Sequence, residues 1–223
     1  MPLINKQKHS HGIIALWHIT EQPEQLQAML TIDEFLPFKS DRRNRHWLAA
    51  RIALQEAVGI SNSRIIKNHH GKPFLSDEDG HISMTHSGNL AAAIYNSKAN
   101  CGIDLELFDE RINRIAHKFC TEEEKLLIPI DFYNGSLCLI WSAKEAVFKY
   151  ANLHDIDFKI HIKLLSLDFE NQMLEFCFCR VNPNITLKVY FRVFEQQGDK
   201  LIETSMLDNS KISNTECYIL TWI

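Results

Sequence analysis

The chain has 223 residues, 45% hydrophobic and 23% charged, with only 8 Gly and 6 Pro; that length buries roughly 70% of the unfolded surface, and the composition excludes collagen-like, low-complexity and disordered classes. A net charge of -4 gives no overall field that would draw the protein to nucleic acid or an anionic membrane, so any polyanion site has to be local. The N-terminal "MPLINKQKHSHG" lacks the apolar core of a signal peptide and no apolar run approaches the ~20 residues of a membrane span, which leads us to expect a soluble, cytoplasmic protein.

In chain order, "IIALWHIT" (13 to 20) reads as a strand and "EQPEQLQAML" (21 to 30) as a helix, with Pro23 tolerated near its start. A second helix is predicted from about Ser40 to Val58, opened by a Ser-Asp cap and closed by Gly59, with Trp47, Leu54 and Val58 on its apolar stripe. A strand at "RIIKN", a turn at "HHGKP" and two strands at "HISMTH" and "AAAIYNS" joined by Ser87-Gly88-Asn89 complete the first half. Next comes "ANCGIDLELF", a strand that places Asp104 and Glu106 on one face about 7 Å apart and Ile103 and Leu105 on the other. Helices follow at about 110 to 118 and 121 to 129, the latter opened by a Thr121/Glu124 capping box, then a long one at about Ser136 to Tyr150. From Ile160 an antiparallel meander is expected through "LLSLDF", "MLEFCFC", "ITLKVYFRVF" and "CYILTWI". The soft break at Ser97-Lys98-Ala99-Asn100 divides the chain into an N-terminal half, 1–99, and a C-terminal half, 100–223. The six cysteines are read as reduced thiols, with Cys177 and Cys179 sharing one strand face, and adjacent His69 and His70 as a solvated loop pair.

The long helix is the most informative segment. Ile140, Ala143, Val147, Leu139, Ala146, Tyr150, Leu137 and Phe148 cover roughly 220° of its wheel, so it must be largely buried. Lys144 falls inside that apolar arc, while Glu145 and Lys149 lie one turn apart on the remaining face; buried charges need partners. Two readings are open at this point. Glu145 and Lys149 form a surface i,i+4 pair, or Glu145 joins Asp104 and Glu106 as oxygen ligands of a divalent cation, Mg²⁺ by preference, serving a phosphate-bearing substrate. Positive charge stands upstream in Lys39, Arg42, Arg43, Arg45 and His46, in Lys72 of the Gly71-Lys72-Pro73 turn, and beside Thr85, His86 and Ser87 of a turn whose N–H groups suit phosphate. Each of these, taken singly, is also what a solvated surface carries; Arg51, on the apolar stripe, reads as a structural Arg bonded to carbonyls.

Four segments in order, "GKP" (71 to 73), "THSGNLAAAIY" (85 to 95), "GIDLE" (102 to 106) and "WSAKEAVFK" (141 to 149), resemble the Sfp-type 4'-phosphopantetheinyl transferase family. The likeness is clear from about Arg42 to Tyr150 and only general in the N-terminal strand and the C-terminal meander. It implies transfer of the phosphopantetheine arm of coenzyme A to a serine of an apo acyl or peptidyl carrier protein, with release of adenosine 3',5'-bisphosphate. It also implies an α+β fold of two similar halves in pseudo-twofold arrangement, each a small antiparallel sheet with packed helices, the active site between them, in a monomer that needs neither nucleic acid nor membrane. By motif position, Asp104, Glu106 and Glu145 would hold Mg²⁺, Glu145 or a metal-bound water would take the serine proton, and Lys149 would stabilise and could protonate the leaving bisphosphate. Lys72, Thr85 and His86, with Arg45 or its rival Arg42, would bind coenzyme A phosphates. Thr85 departs from the serine usual before the histidine, and Glu123 is read as a helix N-terminal charge. A Mg²⁺-dependent nuclease or phosphohydrolase, and a silent binder of coenzyme A or carrier protein, are the alternatives; the first would show a basic stripe and the second would have lost Glu145 or Lys149.

Overall fold

The computed structural model describes residues 3–9, 12–31, 36–59, 64–69, 71–198, 200–204 and 216–223; His70 of the loop pair lies outside them. The chain is α+β, with antiparallel sheets and a few helices, and its contacts divide it into two compact units. The first is Met1–Leu105 with Lys149–Asn152, the second Glu106–Phe148 with Leu153–Ile223.

In the first unit β1 (Leu3–His9), β2 (Gly12–His18), β5 (His81–Ser87) and β6 (Leu90–Asn96) form a sheet in the order β1-β2-β6-β5, while β3 (Ile65–Lys67) and β4 (Pro73–Leu75) make a separate ribbon. The sequence pattern misses β1, whose only apolar residues, Leu3 and Ile4, are adjacent at its start and give no alternation. It also misses β4, which begins at the proline of the expected turn; an N–H-less residue is tolerated at a strand's first position. The β5–β6 hairpin turns at Gly88, whose φ of 54° lies in the left-handed region glycine adopts without strain.

Helices α1 (Pro23–Met29) and α2 (Asp41–Val58) pack together, and α2 covers the sheet. Its buried face is Leu48, Ala49, Ile52, Ala53, Leu54 and Ala57, with Asn44; Trp47 and Val58, expected on the apolar stripe, are only half-buried. The reason is size. Alanines of α2 join the same core cluster as Ala91 and Ala93 of β6, so small side chains bring helix and sheet close and the bulky Trp47 is left at the margin.

In the second unit the six-stranded sheet runs β7-β12-β10-β9-β8, with β11 beside β10. Its strands are β7 (Ile103–Leu107), β8 (Ile162–Asp168), β9 (Met173–Phe178), β10 (Ile185–Gln197), β11 (Lys200–Thr204) and β12 (Cys217–Trp222). The division between units falls inside β7, after Leu105. Every residue of β12 is buried, which explains its apolar run, and the one hydroxyl in its interior run, Thr221, is paired with Ser142 Oγ at 2.9 Å. Helix α3 (Ile112–Phe119) precedes α4 (Glu122–Lys125), a single turn where a longer helix is predicted. Pro129 disfavours helical backbone at the residue before it, and the chain turns into a short 3₁₀ segment, Ile130–Phe132, before α5 (Tyr133–Ala151). No helix among the described residues is long and apolar enough to cross a membrane.

Candidate functional site

The first unit contains a cavity of about 410 Å³ lined by side chains from α2, the β3–β4 ribbon and β5. Phe38, Trp47 and Met84 supply its apolar wall, and Arg43, Arg51, Lys67, His46 and His86 its basic groups, with Thr85 beside them. Local contacts fix these groups. Buried Asn44 holds the backbone of Phe38 at both its N–H (3.1 Å) and its carbonyl (2.9 Å). The Arg43 guanidinium lies 4.1 Å from the centre of the Phe38 ring and that of Arg51 lies 3.3 Å from the centre of Trp47. Stacked on an aromatic face, each guanidinium keeps its edge donors for other partners. Arg51 also donates to the Trp47 carbonyl at 3.4 Å, the kind of bond expected of it.

His46 donates from Nε2 to the Gly88 carbonyl at 2.9 Å and stacks on His86 with ring centroids 4.6 Å apart. Partial burial, then the neighbouring His46 and Lys149, push the pKa of His86 down to about 4, and burial also lowers that of His46. Both rings are therefore neutral near pH 7 in the free protein. Of the basic residues singled out from sequence, His86 and Thr85 line the cavity, whereas Arg42 is exposed, Arg45 is half-buried, and neither lines it; Arg43 does. Lys72 sits between two lining residues, Gly71 and Pro73, but its Nζ donates to the Tyr150 carbonyl at 3.4 Å and burial lowers its pKa. The turn that carries Lys72 is fixed by Asn68, whose side-chain oxygen accepts the Lys72 N–H at 3.0 Å.

Asp104, on β7, is buried in the same unit. Its Oδ1 accepts from Lys149 Nζ at 2.7 Å and from Thr85 Oγ1 at 3.2 Å, while Oδ2 is buried without a hydrogen-bond partner. Lys149 also donates to the Ile103 carbonyl at 3.0 Å. The structure thus brings together Thr85, Asp104 and Lys149, three residues drawn from three separate motifs. Thr85 spends its hydroxyl on the carboxylate.

In the second unit Glu106 accepts the indole N–H of Trp141 at 2.8 Å. The tryptophan that opens the "WSAKEAVFK" segment therefore aims a carboxylate, a role the sequence reading did not assign; nothing in helical spacing reveals a partner 35 residues upstream. Glu145 is half-buried on α5. Among the described residues no cluster of three or more His, Cys, Asp or Glu side chains stands ready to hold a metal ion. The donors nonetheless suit a hard cation: all are carboxylates, and Asp104 Oδ2 is an unsatisfied buried oxygen of the kind such an ion would satisfy.

Lys144, inside the apolar arc, is fully buried and saturated. Its Nζ meets Glu124 Oε1 and Oε2 at 2.7 and 3.0 Å, the Phe119 carbonyl at 2.6 Å and the Phe158 carbonyl at 3.0 Å. It is a structural charge.

A family model described as the 4'-phosphopantetheinyl transferase superfamily matches residues 100–214, just over half of the chain. The chain belongs to that superfamily. No curated protein matches it. The general activity of this transferase superfamily is movement of phosphopantetheine to carrier proteins. The matched segment holds Asp104, Glu106, Glu145 and Lys149; the cavity residues lie upstream of it. It also holds most of the C-terminal meander, so the likeness extends beyond Tyr150, where the short motifs end.

Proposed function

We propose that this transferase moves the 4'-phosphopantetheine arm of coenzyme A to a serine hydroxyl of an apo acyl or peptidyl carrier protein in a Mg²⁺-dependent reaction, releasing adenosine 3',5'-bisphosphate. The observation that carries the reading is Asp104: a buried carboxylate with one oxygen neutralised by Lys149 and the other unsatisfied, in the unit that holds a basic, aromatic-walled cavity.

Asp104, Glu106 and Glu145 are the residues that would hold Mg²⁺, which when bound offsets the charge of the carboxylates and of the pyrophosphate. Trp141 keeps the Glu106 carboxylate in one orientation. Glu145 accepts the proton of the attacking serine, which makes its oxygen a competent nucleophile. Lys149 supplies positive charge, and then a proton, to the leaving bisphosphate oxygen. Its ammonium already sits within the carboxylate's reach, so little reorganisation is needed. His86 and Lys72 bind coenzyme A phosphates, joined by Arg43 as well as Arg45 or Arg42, while the Thr85 hydroxyl, donated to Asp104, holds that carboxylate rather than a phosphate. The Arg43 guanidinium, held on Phe38, faces the cavity with the planar donor set that suits phosphate. The same reading has the protein act as a cytoplasmic monomer on coenzyme A and a carrier protein, without nucleic acid or membrane.

The test is single-turnover transfer from labelled coenzyme A with Mg²⁺, comparing wild type with Glu145→Gln. The variant keeps its circular dichroism and melting temperature and loses at least about 100-fold in rate, within the range for removing a positioned base. Full activity in Glu145→Gln removes that residue from the mechanism.

A further inference from the structure

The end of β9 and the turn that follows it carry two sulfur atoms that the transfer reaction does not use. Cys177 and Cys179 are two residues apart, and their Sγ atoms lie 3.4 Å from each other. Alternate side chains of an extended chain share a face, which brings the thiols together. Their backbone is held on several sides. Cys177 pairs with Lys163 of β8 and with Thr186 of β10, and the Cys179 N–H donates to the His161 carbonyl at 2.8 Å. Both cysteines are half-buried, whereas Cys101, Cys120, Cys138 and Cys217 are buried. A reagent in solution therefore meets these two thiols and is shielded from the other four.

Geometry sorts the fates open to such a pair. Residues two apart in an extended chain have Cα atoms about 6.7 Å apart, the upper edge of what a disulfide spans, so oxidation would require the chain to bend next to Cys177 and Phe178, which both neighbouring strands hold. A zinc ion needs four ligands, and no cluster of three or more His, Cys, Asp or Glu occurs among the described residues. His161 does not supply a lone pair either. Its Nδ1 accepts the Asp157 N–H at 2.8 Å, which leaves the ring proton on Nε2. A pyramidal centre that brings its own third substituent asks for less. Two metal–sulfur or metalloid–sulfur bonds of about 2.3 Å meeting at about 95–100° set the sulfurs about 3.4–3.5 Å apart, close to the separation found.

We propose that Cys177 and Cys179 form a chelating dithiol site for trivalent organoarsenicals, soft centres that take two sulfurs and keep one carbon substituent. In the hydrated reagent two As–O bonds break and two As–S bonds form. Each thiol proton leaves with a hydroxyl as water, and arsenic stays trivalent, so no oxidant or reductant is involved. Burial and the hydrogen bond that the Cys179 thiol donates to Cys177 raise the Cys179 pKa against the opposing Lys163 charge, so this thiol enters the exchange protonated.

The experiment adds one equivalent of phenylarsine oxide to the intact protein and reads the native mass after challenge with thiols. Closure of a two-point chelate raises the effective concentration of the second thiol. The wild type accordingly takes one adduct, keeps it against a roughly 100-fold excess of 2-mercaptoethanol, and releases it to 2,3-dimercaptopropanol. Cys177→Ser and Cys179→Ser each lose the adduct to the monothiol. A wild-type adduct that the monothiol strips, no adduct at all, or an adduct retained by either serine variant overturns the proposal. The first two outcomes are read on the wild type, independently of how the variants fold.

Discussion

His86 shows how burial, reinforced by its neighbours, decides a residue's chemistry. Its pKa, pushed down to about 4 in the free protein, lies below the ordinary histidine value of 6.5, so the ring is neutral where the enzyme would work. A bound phosphate dianion favours the imidazolium and raises the pKa of the complex, which links coenzyme A binding to proton uptake between the two values. Affinity should therefore increase as pH falls from the bound-state pKa toward about 4. Calorimetry at pH near 6 in two buffers of different ionisation enthalpy reads the uptake. His86→Gln is expected to bind with less proton uptake than wild type, and equal uptake in both removes His86 from the phosphate site. The histidine itself was legible in "THSG", but its stacking partner was not: His46 lies 40 residues away on another element, and only the fold sets the rings face to face. The same holds for Arg43. A helix start with three arginines within four positions does not reveal from sequence which one turns to the cavity; the Phe38 ring decides that.

Helix α5 was the most legible element, because an apolar arc interrupted by a lysine has few explanations. Its buried Lys144 fulfils the expectation that an embedded charge has partners, yet the partner, Glu124, had been read only as part of a capping box. It is both. Glu124 Oε2 accepts the Thr121 N–H at 2.8 Å, and Oε1 takes the Leu164 N–H at 2.6 Å along with Lys144, so one carboxylate ties α4, α5 and β8. Side-chain exposure is 0% for Lys144 and 4% for Glu124, so removing one partner strands a buried charge. We expect Lys144→Ala to cost about 3–5 kcal/mol in denaturant unfolding, and the double change Lys144→Met with Glu124→Leu to cost clearly less. Equal losses would mean that the knot holds the fold by more than charge compensation. The elements missed, β1, β4 and β11, carry mixed or proline-led sequences, and they exist because neighbouring strands offer them backbone partners.

At the scale of the molecule, the α+β class and the superfamily were readable from four short segments, while the two units interleave in a way no linear boundary expresses: Lys149–Asn152, at the end of a helix of the second unit, count with the first. That return places Lys149 on Asp104, 45 residues apart in sequence, so the lysine ammonium donates directly to the buried carboxylate. The central claim is phosphopantetheine transfer, and intact-protein mass spectrometry of apo acyl and peptidyl carrier proteins, incubated with the enzyme, coenzyme A and Mg²⁺, tests it directly. At least one carrier should gain a single phosphopantetheine on its serine, and EDTA should prevent the gain. Unmodified carriers throughout the panel, or a gain that persists in EDTA, would contradict that expectation.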